Sequence, residues 1–373
     1  MKPRVLNITA ERPSGGVETV IRNFEKNFDE SIIFDFLFFG SEGNNKFDKD
    51  MREHGRTVHI LPAISLKKIK QNIKNIDAFF SKHIEEYNIL HVHHPNIAFL
   101  ISPIASKYGF KIIIGHSHAT KYSDKKISAL RNFFLLLGRK KFFSNFIGCS
   151  NESGAFLAKG GQYKLIKNAI EAERFSFNEG KRIGIRKELH FEDKFVMGCI
   201  GRFTPQKNQE FLLKVARELI NNDYKNFLIL LIGEGPDQKK LENKIVKMNL
   251  SDYVMIRSHE NKISDFLNSL DLILMPSKFE GFPMVAIESL ANGLDLLLSD
   301  KITKDLTDEK TSFLSIRNTD VWVRKIIEIS NKTRLKRNEN KAISLGYDIK
   351  IEQKELIFYY QNLLEQNISI NES

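Results

Sequence analysis

The 373-residue sequence holds only two cysteines, Cys149 and Cys199, each directly after a glycine in an apolar stretch. That scarcity excludes a disulfide-stapled scaffold and a cysteine-built metal centre, and two buried thiols are expected instead. Long hydrophobic runs are also lacking, since none approaches the ~20 residues of a membrane-spanning helix. After Lys2 and Arg4 the chain passes straight into Val5-Leu6-Asn7-Ile8, too short for the apolar core of a secretory signal. A cytoplasmic protein is expected. Low-complexity segments are missing as well. Acidic residues are scarce in one half only. Residues 1–165 carry 25 Lys and Arg against 15 Asp and Glu, whereas the remainder carries 32 against 31, so nearly all of the net charge of +11 sits in the first half. A one-sided basic field suits nucleic acid, an anionic membrane surface or a phosphorylated acceptor, and charge alone does not choose among them.

What is present is the composition of an ordinary globular protein, 42% hydrophobic and 28% charged, with length for two or three domains. Short apolar runs alternate with amphipathic stretches. Val5 to Ile8, Ile32 to Phe39, Ile89 to Val92 and Lys111 to Ile114 read as strands of a first parallel sheet. Val196 to Ile200, Phe227 to Ile232, Leu272 to Met275 and Leu296 to Leu298 repeat the grammar, and Phe211, Leu212, Val215, Ala216 and Leu219 recur at helical spacing between two of them. The expected fold is α/β, two doubly wound Rossmann-like domains in tandem, with ligands held at the carboxyl ends of the strands where the two domains face each other across a cleft. Residues 1–167 form the first domain, 168–349 the second, and 350–373 a closing helix that crosses back to the first domain, with a frayed tail from Gln366. The segment from Glu171 to Arg182 is charged and aperiodic.

The most informative stretch is Pro276-Ser277-Lys278-Phe279-Glu280-Gly281-Phe282-Pro283-Met284-Val285-Ala286-Ile287-Glu288. It follows a buried strand, and Pro283 suits the first turn of the next helix. Backbone N–H groups around Gly281 to Val285 would then form an anion site, flanked by two carboxylates able to accept hydrogen bonds from sugar hydroxyls. The E-x7-E spacing of Glu280 and Glu288 within S-x-x-E-G-x-P resembles the GT-B-fold glycosyltransferases of family 4. Other signals of that family follow in order along nearly the whole chain: Gly15-Gly16-Val17-Glu18, His116-Ser117-His118, Cys149-Ser150, Asn168-Ala169-Ile170, Gly201-Arg202-Phe203 with Lys207-Asn208, and Gly233-Glu234-Gly235-Pro236.

The resemblance implies that the first domain binds the acceptor and the second the nucleotide-sugar. It gives Arg202 and Lys207 the donor phosphates, Glu288 the ribose, Glu280 the transferred sugar and His118 a place at that sugar as a hydrogen-bond partner. Gly15 and Gly16 let the donor or acceptor approach the backbone, and Gly281, Phe282, Pro283, Met284 and Val285 complete the donor site. The catalytic set is then His118, Arg202, Lys207 and Glu280, and cations standing by a leaving diphosphate fit that chemistry. No metal and no cofactor is expected. His91, His93 and His94 read as strand-end polar residues, and Asp48-Lys49-Asp50 as a surface loop despite its D-x-D pattern. One departure stands out: Asp295 follows Asn292-Gly293-Leu294 where the family has proline, which should alter a turn at the start of the next strand.

The resemblance therefore implies a retaining, metal-independent transferase that moves a sugar from a nucleotide-sugar, UDP-sugar first, to a glycan or lipid-diphosphate-linked acceptor in exopolysaccharide or capsule synthesis. A sugar-nucleotide epimerase of the same fold and a catalytically silent partner of another transferase are the alternatives, and nucleic-acid binding lacks a motif. The basic first half fits a protein peripheral at the inner face of the membrane. Its stretch from Arg131 to Phe143, with Lys121, Lys125 and Lys126 upstream, reads equally as an interfacial helix or as the core face of an ordinary one.

Overall fold

The computed structural model describes residues 2–13, 15–26, 31–41, 45–120, 122, 126–258, 263–280, 282–332, 337 and 340–372. The chain divides into two units, Met1–Ala169 with Ile349–Ser373, and Ile170–Asp348.

In the first unit β1 (Arg4–Thr9), β2 (Ile33–Phe39), β3 (Val58–Leu61), β4 (Ile89–Val92), β5 (Ile113–Ser117), β6 (Asn145–Gly148) and β7 (Lys164–Leu165) form one sheet in the order β3-β2-β1-β4-β5-β6-β7. In the second, β8 (Phe195–Ile200), β9 (Phe227–Ile232), β10 (Val254–Arg257), β11 (Leu272–Met275), β12 (Asp295–Ser299) and β13 (Thr311–Leu314) are ordered β10-β9-β8-β11-β12-β13. Neighbouring strands are parallel throughout. Each sheet reverses its winding beside its first strand, between β1 and β4 and between β8 and β11. Loops leaving the carboxyl ends of those strands diverge there and open a crevice.

Helices cover both faces of such sheets, so central strands are apolar on both sides. All six residues of β9, Phe-Leu-Ile-Leu-Leu-Ile, are buried. Against that sheet the helix Gln209–Asn221 lays Phe211, Leu212, Val215, Ala216 and Leu219, and Trp322 closes the same core. The core of the first unit joins Leu6, Ile8, Leu37, Leu90 and Val92 to Phe80 and Ile101.

The last helix, Ile349–Glu372, belongs to the first unit. It buries Leu356, Tyr360 and Leu363 at a spacing of four and three residues. At roughly 1.5–3 kcal/mol per buried apolar side chain, that stripe outweighs the exposed Lys164–Glu355 pair of the same helix, which is worth about 0–1 kcal/mol. The helix runs on to Glu372 rather than fraying from Gln366, because no glycine or proline interrupts its hydrogen-bond ladder.

Two further expectations need correction, and the charged, aperiodic segment proves to be structured: after Ile170 a 3-10 turn at Ala172–Phe175 precedes the helix Glu179–Glu188. Arg182 and Arg186 on that helix are buried, 2.6 and 3.1 Å from the two carboxylate oxygens of Asp271. Asp48 and Asp50 lie on a helix, Lys46–Glu53, and not in a loop. Asn45 caps that helix by accepting from the Phe47 N–H, and the carboxylates pair with Arg12 at 2.8 Å and Arg22 at 2.7 Å. Finally, the helix after Glu280 starts at Met284, with Pro283 at the N-cap in extended geometry and not inside the first turn.

Candidate active site

In the second unit the loops leaving β8 and β11 are joined. The Lys207 ammonium donates to Glu280 Oε1 at 2.6 Å, with the Glu280 side chain 9% exposed. Asn208, in a left-handed conformation at φ 57°, donates from Nδ2 to the Pro276 carbonyl at 3.0 Å. The Lys278 N–H donates to the Gln206 carbonyl at 2.9 Å, and Gln206 Nε2 donates to the Phe279 carbonyl at 3.2 Å. Two predicted site residues far apart in sequence, Lys207 and Glu280, thus form one ion pair. Arg202, on the same β8 loop, is exposed, so its guanidinium is available to an anion.

The glycines explain how the loops fit. Gly201 and Gly233 have φ of 147° and 148°, which L side chains rarely adopt. A Cβ on Gly233 would lie 2.3 Å from the Gly201 carbonyl oxygen, and one on Gly235 would lie 2.4 Å from that of Phe203. The β8 and β9 loops therefore touch backbone to backbone, and the Phe203 N–H donates to the Glu234 carbonyl at 2.8 Å.

Glu288 sits in the second turn of the helix Met284–Ala291 and is 5% exposed. It is not a solvated surface residue. Its Oε2 is buried with no hydrogen-bond partner, a costly arrangement that a ligand hydroxyl would relieve. Burial pushes its carboxyl up to about 7, while Arg174 pulls the other way. Phe282 and Met284 are buried, Phe282 beside the Tyr347 ring at 5.4 Å, and Val285 is half-buried. Gly281 lies outside the described residues. Asp295 opens β12 after Gly293 at φ 73°, and burial raises its carboxyl above the ordinary range.

In the first unit Gly15 opens the helix Gly15–Lys26 after β1, and a Cβ on Gly16 would meet open space. The histidines are more than strand-end polar residues. His91 and His116 stand on β4 and β5, His93 and His118 just beyond them, and their rings lie against one another in pairs, stacked or tilted, with centroids 4.1 to 5.3 Å apart. Tyr360 hydroxyl to His91 Nδ1 is 2.5 Å, His91 Nε2 to His116 Nδ1 3.0 Å, and His93 Nδ1 to His118 Nε2 3.0 Å. Burial lowers all four imidazoles, His91 and His118 to about 3. Ring nitrogens of His91, His93 and His116 lie within 4.8 Å of one another. The His91 ring is stacked on His93 and on His116, which are tilted by 39° to each other, and His91 Nε2 and His116 Nδ1 already face each other at 3.0 Å. A tetrahedral metal needs converging lone pairs. His93, His94 and His118 line a pocket of about 270 Å³ with Asn96, Ser117 and Tyr122.

The basic stretch divides. Leu136, Arg139 and Phe143 are buried, whereas Ile127, Leu130, Phe134 and Leu137 are 87%, 60%, 59% and 55% exposed on and after the helix Lys126–Leu135. Lys121 and Lys125 lie outside the described residues. Among the described residues no helix is long and apolar enough to cross a membrane.

Residues 181–343 match the family model "Glycosyl transferases group 1", a span inside the second unit that includes Arg202, Lys207, Glu280 and Glu288. The second unit is a group 1 glycosyl transferase domain. EpsF of Bacillus subtilis (strain 168), described as a glycosyltransferase, is 27% identical over 361 residues, 92% of this chain and 93% of that protein. An Escherichia coli UDP-Gal:alpha-D-GlcNAc-diphosphoundecaprenol alpha-1,3-galactosyltransferase is 24% identical over 252 residues, 64% of this chain and 63% of that protein. The crystal structure of Anabaena Alr3699/HepE in complex with UDP-glucose superposes with a TM-score of 0.79 at 17% identity, covering 96% of this chain and 99% of that one. The fold is GT-B, two Rossmann-like doubly wound domains in tandem.

Several residues of this chain were not expected from the sequence. Arg182, Arg186 and Asp271 anchor the start of the transferase unit, and Asp271 Oδ2 also accepts from the Val196 N–H at 2.8 Å, tying the pair to β8. Asn7 and Tyr360 contact the histidines from β1 and the last helix. Tyr360 carried a signal, the helical spacing of Leu356, Tyr360 and Leu363. Asn7 carried none beyond its polarity inside an apolar strand.

Proposed function

We propose that the chain is a retaining, metal-independent transferase of family 4 that moves a sugar from a UDP-sugar to a lipid-diphosphate-linked glycan. The observation that carries this reading is the joined pair of loops at the switch point of the second sheet, where Lys207 of the β8 loop, which also carries exposed Arg202, pairs with Glu280, and the helix after Glu280 holds the unsatisfied Oε2 of Glu288. A nucleoside diphosphate has the complementary chemistry. Its phosphates meet Arg202, Lys207 and the N–H groups at the start of the helix that follows Pro283, and its ribose hydroxyls donate to Glu288. Glu280 accepts from hydroxyls of the transferred sugar, and cations neutralise the charge that grows on the leaving diphosphate. The diphosphate itself accepts the acceptor proton on the front face of the sugar, so no covalent enzyme intermediate and no resident metal or cofactor is invoked. UDP is favoured as nucleotide because the E. coli relative is named for UDP-Gal and HepE was crystallised with UDP-glucose.

The acceptor belongs to the first unit. A lipid-diphosphate acceptor is named for the E. coli relative, and it suits the basic first half and exposed Ile127, Leu130, Phe134 and Leu137 beside exposed Arg131, Lys140 and Lys141. That combination fits a helix lying in the headgroup layer of an anionic inner membrane face, with the product a repeat unit of exopolysaccharide or capsule. Incubation with a panel of UDP- and GDP-sugars, read by slow donor hydrolysis and by the shift in melting temperature, tests the reading. Hydrolysis of one UDP-sugar with an anomerically retained product is expected. Conversion of the donor into an epimer, or no response to any nucleotide-sugar, would overturn it.

A further inference from the structure

The buried histidines of the first unit form a hydrogen-bonded chain whose direction can be worked out by counting hydrogens. Asn7 Nδ2 donates to the Asp35 carbonyl at 3.4 Å, and Asn7 Oδ1 lies 3.0 Å from His93 Nε2. Reversing that amide would set its oxygen against the Asp35 carbonyl, two acceptors face to face, so Oδ1 must be the atom that meets His93. His93 Nε2 therefore carries hydrogen and donates to Asn7. A neutral imidazole has one N–H, which leaves His93 Nδ1 as a lone pair, 3.0 Å from His118 Nε2. His118 Nε2 must then carry hydrogen, and His118 Nδ1 is the bare nitrogen.

Neutrality follows from the surroundings. The titratable groups that act on the pair are His91, His94 and His116, all imidazoles, and burial disfavours charge on each. His118 Nδ1 is buried with no hydrogen-bond partner, and so is Oδ1 of Asn168, the residue whose side chain acts on the His118 ring by hydrogen bonding. Two acceptors cannot satisfy each other. An Asn168 amide that faces a bare ring nitrogen must present Nδ2 to it, and that orientation completes a chain with two neutral rings.

We infer that Asn7 and His93 are positioning residues that hold His118 as the tautomer with hydrogen on Nε2, so that His118 Nδ1 acts toward a sugar hydroxyl only as a hydrogen-bond acceptor. This deepens the transferase reading and rests on it for the identity of the hydroxyl. His118 supplies no proton to the leaving group, since its one hydrogen is committed to His93. A hydroxyl entering the 270 Å³ pocket that His93 and His118 line would meet a bare Nδ1 that has no hydrogen-bond partner. It gains a hydrogen bond to a neutral acceptor without ionising a buried ring.

The experiment is nitrogen NMR of the full chain labelled at histidine, with the His118 signals identified by their loss in His118→Gln. A protonated and a bare ring nitrogen have well-separated shifts, so the tautomer is read directly. At neutral pH the wild-type protein should show hydrogen on His118 Nε2 and none on Nδ1. The opposite tautomer, or averaging between the two, would overturn the inference without any variant having to fold. Asn7→Asp supplies the second arm, because a carboxylate in place of the amide favours an imidazolium at His93 that donates from both nitrogens. His118 should then switch to hydrogen on Nδ1, and turnover with a UDP-sugar should fall about ten-fold with UDP affinity unchanged. An unaltered tautomer in Asn7→Asp would remove Asn7 from the role. If the tautomers behave as stated but no nucleotide-sugar is turned over, the transferase reading fails and the positioning chain stands.

Discussion

Replacing Glu288 by glutamine separates the cost of a buried carboxylate from its use. Burial raises the Glu288 carboxyl to about 7 from an ordinary value of 4.5, so between those values the folded protein binds a proton that the unfolded chain has released. Stability then falls as pH rises through that window. The contribution is fully present below about pH 4.5 and is lost once pH passes about 7. A tenfold change in a proton-binding constant is worth about 1.4 kcal/mol, so wild type should lose on the order of 2 kcal/mol from this group between about pH 5 and about pH 8. Glu288→Gln carries no such group and should gain on wild type by that amount across the same interval. Urea unfolding of both proteins at the two pH values measures it, and the difference between proteins cancels other titrating groups. Ligand reverses the preference. Ribose hydroxyls donate to the ionised form, so UDP should bind wild type more tightly as pH rises through about 7, and binding should release a proton, whereas Glu288→Gln should bind weakly and with little pH dependence. Equal stability differences at both pH values, together with UDP affinity in wild type that does not change with pH, would refute the assignment of Glu288 as a buried ribose acceptor.

Glu280→Ala should abolish or strongly weaken transfer while UDP still binds, with loss of one charged hydrogen-bond partner worth ~1.5–3 kcal/mol; calorimetry with UDP beside a transfer assay decides it. Gly233→Ala places a methyl carbon 2.3 Å from the Gly201 carbonyl oxygen at a φ of 148°, and thermal melting should show destabilisation of more than about 1 kcal/mol. Arg182→Ala leaves Asp271 with a reduced set of buried donors, and urea unfolding should show a loss approaching ~3 kcal/mol, the scale of breaking a buried ion pair. Sedimentation with anionic vesicles at low salt should capture the protein, and Lys140→Glu with Lys141→Glu should release it, since each basic residue near such a surface contributes ~1 kcal/mol. Equal capture by neutral vesicles would leave the exposed apolar residues without a membrane role.

The parts of the fold that were legible are those set by local pattern. Continuous apolar runs such as Phe227 to Ile232 mark strands covered on both faces, and the Phe211 to Leu219 stripe marks a helix. The glycines at 201, 233 and 235 were legible as motif residues, but their reason, contact between two loops, appears only when β8 and β9 lie side by side. Other residues misled because their partners are distant in sequence. Arg182 ends a charged, aperiodic segment and Arg186 follows it, and only Asp271, 89 and 85 positions on, makes them core. Asp48 and Asp50 imitate a metal motif, yet Arg12 and Arg22 occupy their carboxylates. The histidine chain depends on the β4–β5 register, which sets His91 against Ile114 and brings His116 alongside, and no spacing along one strand reveals it.

The placement of the last helix has a consequence for how the protein is made. The first unit is interrupted in sequence, since Ile349–Glu372 completes a core begun at β1, and His91 finds Tyr360 across 269 positions. A ribosome therefore finishes every strand of the transferase unit before it supplies the residues that close the first one. Until then the inner faces that receive Leu356, Tyr360 and Leu363 lack their cover, and the first-made unit is the last that can be completed. The same order makes the last helix a handle on the first unit. A truncation before Tyr360 removes nothing from the transferase sheet, but it takes the hydroxyl from His91 and uncovers apolar surface built from residues at the start of the chain.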